Sequence, residues 1–250
     1  DSKGCSASTS GTVTVNPNPI VSAEGEDATC GDDNGSATAS ATGGMAPYTF
    51  AWSNGDAGAT ITGLAPGTYT VTATDSKGCS GTASVTIDNI GGPTVEAGPD
   101  LEKCPEDALP IDATVSGGTP PYTYAWTATG GSFVDATVED PVYNMMMPGT
   151  YTLTLTVTDA NGCEASDQLD VTVNPSPSVT VEDIEICAGD DGTLTAVGSG
   201  GTPGYTFEWS TGATSASITV SPGATTSYSV TITDSKGCSA STSGTVTVNP

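Results

Sequence analysis

The sequence predicts an all-β chain folded as several small sandwiches in tandem. Three observations carry that expectation: apolar alternation with a period of two, turn dipeptides at short intervals, and one ordered set of signals used three times. Tyr48, Phe50 and Trp52 alternate, as do Tyr122, Tyr124 and Trp126, and Tyr205, Phe207 and Trp209, so each trio points to one face of a strand. A later strand agrees, with Tyr69, Val71 and Ala73 on one side and Thr68, Thr70, Thr72 and Thr74 on the other. Threonine suits a half-buried strand because its branched carbon favours extended backbone while its hydroxyl tolerates water. Gly43-Gly44, Asn54-Gly55, Pro66-Gly67, Pro148-Gly149 and Pro222-Gly223 end the strands, and no segment holds a sustained helical stripe. These features specify immunoglobulin-like sandwiches of about seven strands and roughly 70 to 85 residues each.

The signals recur in a fixed order: a cysteine, a Gly-Gly turn, an aromatic strand ending in Trp, a Tyr-containing strand, and Thr-Asp-x-x-Gly-Cys. Cys30, Cys104 and Cys187 each precede Trp52, Trp126 and Trp209 by 22 residues, and Asp75, Asp159 and Asp234 each stand 4 residues before Cys79, Cys163 and Cys238. From Trp to Asp the separations are 23, 33 and 25, so the middle module carries an extra loop or strand around Phe133 to Met147. Proline marks the boundaries at Asn16-Pro17-Asn18-Pro19, Ile87 through Pro93, and Asn174-Pro175-Ser176-Pro177. The expected modules are therefore residues 18–91, 92–175 and 176–250. Residues 1–17 reappear letter for letter as 234–250, an offset of 233. Seventeen identities that include unconstrained Ser and Thr positions indicate a recent tandem duplication, so 1–17 reads as the terminal strand of a preceding repeat in a longer array. Strands of roughly 8 to 10 residues make a module some 30 to 40 Å long, and three in line would form a linear rod on the order of 100 Å.

Composition excludes whole function classes. The 250 residues hold 29 acidic and 4 basic side chains, a formal charge of −25, with no His and every basic residue a lysine. Nucleic acid has no positive surface to dock on. Without histidine no Ser-His arrangement exists, and Lys3, Lys77, Lys103 and Lys236 lie in no Ser-Lys motif, so an enzyme is not expected. No apolar run approaches the ~18 residues of a membrane span.

Seven cysteines without a CxxC, in an acidic Gly/Thr-rich chain, indicate disulfides formed in an oxidising exterior. One pairing closes each module on itself: Cys30–Cys79, Cys104–Cys163 and Cys187–Cys238, leaving Cys5, the equivalent of Cys238, to a partner upstream. Another fits the period equally well and stitches across the links: Cys5–Cys30, Cys79–Cys104 and Cys163–Cys187. The second is disfavoured because each final strand carries the chain a module length away from the opening cysteine.

The segment ATCGDDNGSATASATGGMAPYTFAWSNGDAGATITGLAPGTYTVTATDSKGC, residues 28 to 79, resembles a SprB-type repeat. The other two modules, with SGGTPPYTYAWTATGG and GTYTLTLTVTDANGC, and with GSGGTPGYTFEWSTG and SYSVTITDSKGC, are similar to PKD-like domains. Both classes occur in very large surface proteins of Bacteroidota, including gliding-motility adhesins. The resemblance implies a secreted or cell-surface location and a structural stalk or filament segment supporting adhesion or motility, whose partners are neighbouring repeats of the same chain or filament. The alternative is a set of adhesin modules that themselves bind surface glycans or proteins.

Candidate sites follow from residue type. Asp75, Asp159 and Asp234 either organise their own hairpin turns or offer carboxylates to calcium. Acidic groups also gather at Glu24, Glu26, Asp27, Asp32 and Asp33, at Asp100, Glu102, Glu106 and Asp107, and at Glu182, Asp183, Glu185, Asp190 and Asp191. Of these, Asp32, Asp33, Asp190 and Asp191 join the calcium candidates at module joints, against the reading that the charge merely keeps the chain soluble. No other cofactor is expected. The aromatic trios are core packing or sugar-stacking platforms. Met145, Met146 and Met147 form a hydrophobic plug or a partner-binding patch.

Overall fold

A computed structural model describes residues 2–105, 108–144 and 147–250. All regular structure among them is β, with no helix. The chain forms two compact units, one of Asp1–Pro93 with Gly117–Pro121 and Asp159–Glu164, the other of Thr94–Ser116, Tyr122–Thr158 and Ala165–Pro250.

The first unit contains β1 (Ile20–Glu26), β2 (Ala28–Thr29), β3 (Gly35–Thr42), β4 (Thr49–Trp52), β5 (Thr60–Leu64), β6 (Gly67–Thr74), β7 (Ser80–Ile87) and β8 (Asn89–Ile90). Sheet β1-β3-β5 and sheet β4-β6-β7 supply opposite sides of one core around Trp52, Ile61, Leu64, Val71 and Ile87, while β2 pairs in parallel with β8. The alternation read from the sequence is visible in β6, where Val71 and Ala73 are fully buried. Its outward threonines meet their cross-strand neighbours: Thr70 Oγ1 lies 2.9 Å from Ser84 Oγ, and Thr68 pairs with Thr86.

The strands that follow are β9 (Pro93–Glu96), β10 (Leu101–Lys103), β11 (Leu109–Pro110), β12 (Thr114–Gly117), β13 (Thr123–Ala128), β14 (Ser132–Phe133), β15 (Val142–Asn144), β16 (Gly149–Thr158) and β17 (Glu164–Val173). The sheet β10-β17-β16-β13 packs over a core of Trp126, Tyr143, Leu153, Leu155, Val157, Leu169 and Val171. The extra residues between Trp126 and Asp159 build added strands, with β15 between β11 and β14. They bring Phe133 and Tyr143 into a ring cluster with Trp126, at centroid distances of 5.7 Å (Trp126 to Phe133) and 5.2 Å (Phe133 to Tyr143). The last set is β18 (Pro177–Val181), β19 (Ile184–Cys187), β20 (Gly192–Gly200), β21 (Thr206–Trp209), β22 (Ser217–Val220), β23 (Thr226–Thr233) and β24 (Ser239–Asn249). Sheets β18-β20-β22 and β19-β24-β23-β21 enclose Leu194, Trp209, Val230, Ile232 and Val246.

Residues 6–17, identical to 239–250, form no strand here. Val13 is 90% exposed, whereas its counterpart Val246 is fully buried. The letters are equal and the neighbours are not: 239–249 pairs with β23 and β19, and propensity alone does not hold a strand without such partners.

One topological feature positions the cysteines. In each sandwich the short second strand runs parallel to the last one: Thr29 aligns with Ile90, Lys103 with Val173, and Cys187 with Asn249. The opening cysteine therefore sits where the last strand ends, at the trailing pole of its sandwich. The Thr-Asp-x-x-Gly-Cys hairpin sits where that strand begins, at the leading pole. About ten residues of strand, on the order of 35 Å, separate the two.

Candidate functional site

The two poles carry the chemistry-bearing residues. At the leading pole the hairpin is organised by a single buried aspartate. Asp75 Oδ1 accepts the amides of Lys77 and Cys79 at 2.8 and 2.9 Å, and Oδ2 accepts the amide of Met45 at 2.9 Å. Asp159 does the same with Asn161, Cys163 and Thr119, and Asp234 with Lys236, Cys238 and Thr202, all at 2.8 to 2.9 Å. The Gly-Gly turn belongs to this site. Gly44, Gly118 and Gly201 have φ of 61°, 63° and 57°, and a Cβ there would stand 2.6 to 2.8 Å from the aspartate Oδ2. A side chain is thus excluded by space as well as by conformation.

Burial pushes the Asp75 and Asp159 carboxyls up, but the amides around each outweigh it, and both lie below the ordinary aspartate value. For Asp234 the Thr202 amide is the largest influence, and its carboxyl is likewise lowered. These three carboxylates accept backbone amides, as the hairpin-turn reading of the sequence expects. Asp32, Asp33 and Asp190 lie exposed in the turns after Cys30 and Cys187, and Asp191 accepts the Ser221 hydroxyl. Among the described residues no group of three Cys, Asp or Glu side chains could hold a metal. Glu106 and Asp107 lie outside the described residues, as do Met145 and Met146; Met147 is exposed, its carbonyl accepting the Tyr151 hydroxyl at 2.8 Å.

Three further acidic residues have a role that spacing did not reveal. Asp27, Asp100 and Asp183 accept the amides of Asp88, Asp170 and Thr245 at 2.8, 2.9 and 2.7 Å, each tying the start of the short parallel strand to the last strand.

The disulfides correct the sequence reading most. Cys30 is bonded to Cys163 and Cys104 to Cys238, with Cα–Cα distances of 5.1 and 5.3 Å across 133 and 134 residues. Neither Cys30–Cys79, Cys104–Cys163 nor Cys187–Cys238 forms, and the stitching alternative is absent as well. The reason is the polarity of the last strand: opening and closing cysteines of one sandwich occupy opposite poles, out of disulfide reach. Cys30 and Cys104 instead take the hairpin cysteine of the sandwich that follows. Cys79 and Cys187 remain thiols.

An ion pair accompanies the second staple. Lys236 Nζ is 2.6 Å from Glu102 Oε1, and Asn174 Nδ2 donates to the same oxygen at 3.2 Å. The Lys236 ammonium, with Asn174, holds the Glu102 carboxyl below its ordinary value. The signal for this pair was present as Glu and Lys each two residues before a cysteine.

The aromatic trios are chiefly core. Trp52, Trp126 and Trp209 are buried, and their indole nitrogens donate to Gly58, Val138 and Ser215 carbonyls at 3.0, 3.2 and 2.9 Å. Tyr205 and Phe207 are half-buried and line an open depression of about 480 Å³ with Glu208, Thr206, Thr214, Thr231 and Thr233.

Family models for the SprB repeat match residues 22–57 and 178–214, and one for the PKD domain matches 91–173. No curated protein matches. Among solved structures, titin I67-I69 from the I-band shares 17% identity over 94% of this chain and 100% of that one, with a TM-score of 0.43. The eight N-terminal Ig domains of Down Syndrome Cell Adhesion Molecule share 15% over 94% and 37%, with a TM-score of 0.43. The PKD domain of the KIAA 1837 protein shares 27% over 32% and 83%, with a TM-score of 0.27. The third segment, read from its sequence as PKD-like, matches the SprB repeat instead. It shares with the first a short connection after Trp, Trp209 to Ala213 as Trp52 to Asp56, and lacks the strands inserted after Trp126. The chain carries two SprB repeats with a PKD domain between them.

Proposed function

We propose that the chain is a load-bearing spacer of a larger extracellular surface protein, an immunoglobulin-like stalk whose modules stand in line and whose partners are further copies of the same repeat. The observation that carries this reading is the interleaving of the two disulfides. Cys30–Cys163 and Cys104–Cys238 overlap in sequence, so the segments 30–104, 104–163 and 163–238 run as three covalent paths in parallel between the two bonds. A tether loaded at its ends benefits from that arrangement. A catalyst gains nothing from it, and the composition supplies neither histidine nor arginine for one. Disulfides suit an oxidising exterior, and among the described residues no helix is long and apolar enough to cross a membrane.

Electron micrographs of the native secreted material test the proposal. A thin thread with a spacing on the order of 100 Å is expected, from three modules of strand length in line. Compact particles, together with saturable binding of the chain on a glycan array, would replace the spacer by a ligand-binding adhesin.

A further inference from the structure

The two formed staples obey one rule, and the Cys79 and Cys187 thiols are its missing halves. In both staples a trailing-pole cysteine of one sandwich meets the leading-pole cysteine of the next. Cys187 is a trailing-pole cysteine and Cys79 a leading-pole cysteine, and neither is disulfide-bonded. Residues 1–17 repeat 234–250, so what precedes Asn18 in this chain already has the sequence of the third sandwich's last strand. A third-to-first junction is written in the chain itself.

The local geometry of each half matches its bonded counterparts. Glu185 aligns with Thr247 and accepts Asn249 Nδ2 at 3.2 Å, as Glu102 aligns with Thr172 and accepts Asn174 Nδ2 at 3.2 Å. Asp75 holds the amides of Lys77 and Cys79 just as Asp234 holds those of Lys236 and Cys238. Cys163 and Cys238, whose partners are in place, are 1% exposed, while Cys79 at the equivalent hairpin position is half-exposed. Charge agrees as well. Glu102 and Lys236 stand two residues before Cys104 and Cys238, and Glu185 and Lys77 stand two residues before Cys187 and Cys79. At the Cys30–Cys163 junction those positions are Ala28 and Asn161, so the charged pairing marks the other two junctions only.

We infer that the Cys187 pole is a docking site for the Asp75–Cys79 hairpin of a second copy of this sequence, closed by a Cys187–Cys79 disulfide and a Glu185–Lys77 ion pair. The oxidant is a small-molecule disulfide of the glutathione class. The Cys187 thiolate attacks it and releases one glutathione thiol. The Cys79 thiolate then attacks the Cys187 sulfur and displaces the second. Two cysteine thiols are oxidised to one disulfide, and one glutathione disulfide is reduced to two thiols. The contact is heterologous, head to tail, and so propagates without closing. It is independent of the spacer reading, since a ligand-binding chain would be stapled by the same chemistry.

The test uses the full chain with Cys5→Ser throughout, so that only Cys79 and Cys187 are free, in a glutathione redox buffer. The parent should give a ladder of disulfide-linked multimers on non-reducing gels. Cys79→Ser and Cys187→Ser should each stay monomeric alone and yield a dimer when mixed, with a Cys187–Cys79 peptide in the digest. Glu185→Lys should slow that dimer about tenfold at low salt, and adding Lys77→Glu on the partner should restore it. Homodimers of either single variant in preference to the mixed dimer, or cross-linking insensitive to the charge swap, would overturn the inference.

Discussion

The Cα atoms of Cys104 and Cys238 stand 5.3 Å apart although 134 residues separate them, while Cys163, only 59 residues from Cys104, is bonded elsewhere. The proximity follows from the parallel pairing of β10 with β17, which delivers Cys104 to the pole where the chain leaves its sandwich. Disulfides placed there restrain the joint between sandwiches and leave the interiors to their own hydrophobic cores.

Removing a staple should therefore lower stability without dissolving a core. In the chain-entropy treatment a loop of this length contributes about 5 kcal/mol. The double variant Cys104→Ser/Cys238→Ser is expected to lower the calorimetric midpoint by several degrees, whereas Cys79→Ser/Cys187→Ser leaves that of the monomer unchanged. Equal effects from the two pairs would contradict the assignment.

The buried aspartates predict an acid response with a defined sign. Asp75, Asp159 and Asp234 have lower pKa values folded than unfolded, so their contribution is complete above about pH 4, the ordinary aspartate value, and is lost as pH falls through the depressed folded values. Hydrogen exchange at the Cys79, Cys163 and Cys238 amides should accelerate over that range. Asp234→Ala should release the Lys236, Cys238 and Thr202 amides already at neutral pH, and Asp234→Asn, which keeps an acceptor oxygen, should restore part of the protection.

The same geometry makes calcium unnecessary to the hairpins. Chelation followed by calcium titration is expected to leave the thermal midpoint unmoved, because the hairpin carboxylates already hold backbone amides. A calcium-dependent rise of several degrees would return Asp32, Asp33, Asp190 and Asp191 to the list of ligands.

Alternation at Tyr48, Phe50 and Trp52 and its two copies made the sandwiches legible, because a period of two has one structural meaning. The hairpin aspartates were legible for a similar reason, Asp before Gly being local chemistry. The pairing of cysteines was not. Spacing says which cysteines are equivalent, but which pole each occupies depends on a parallel strand pair of two to four residues, too short to leave a periodic signal. Residues 6–17 carry the letters of β24 without forming a strand, whereas 239–249 are held by β23 and β19.

The central claim, that interleaved staples put three covalent paths in parallel, is tested most directly by pulling single chains from their termini with and without reductant. With both bonds intact the extension is limited by the shortest path, 104–163, and should end near 350 Å, about 100 residues at ~3.5 Å each. Reduction should lengthen it to about 870 Å, the reach of the whole chain. An oxidised chain that extends to the reduced length, or a gain on reduction matching only loops closed within single sandwiches, would contradict the account.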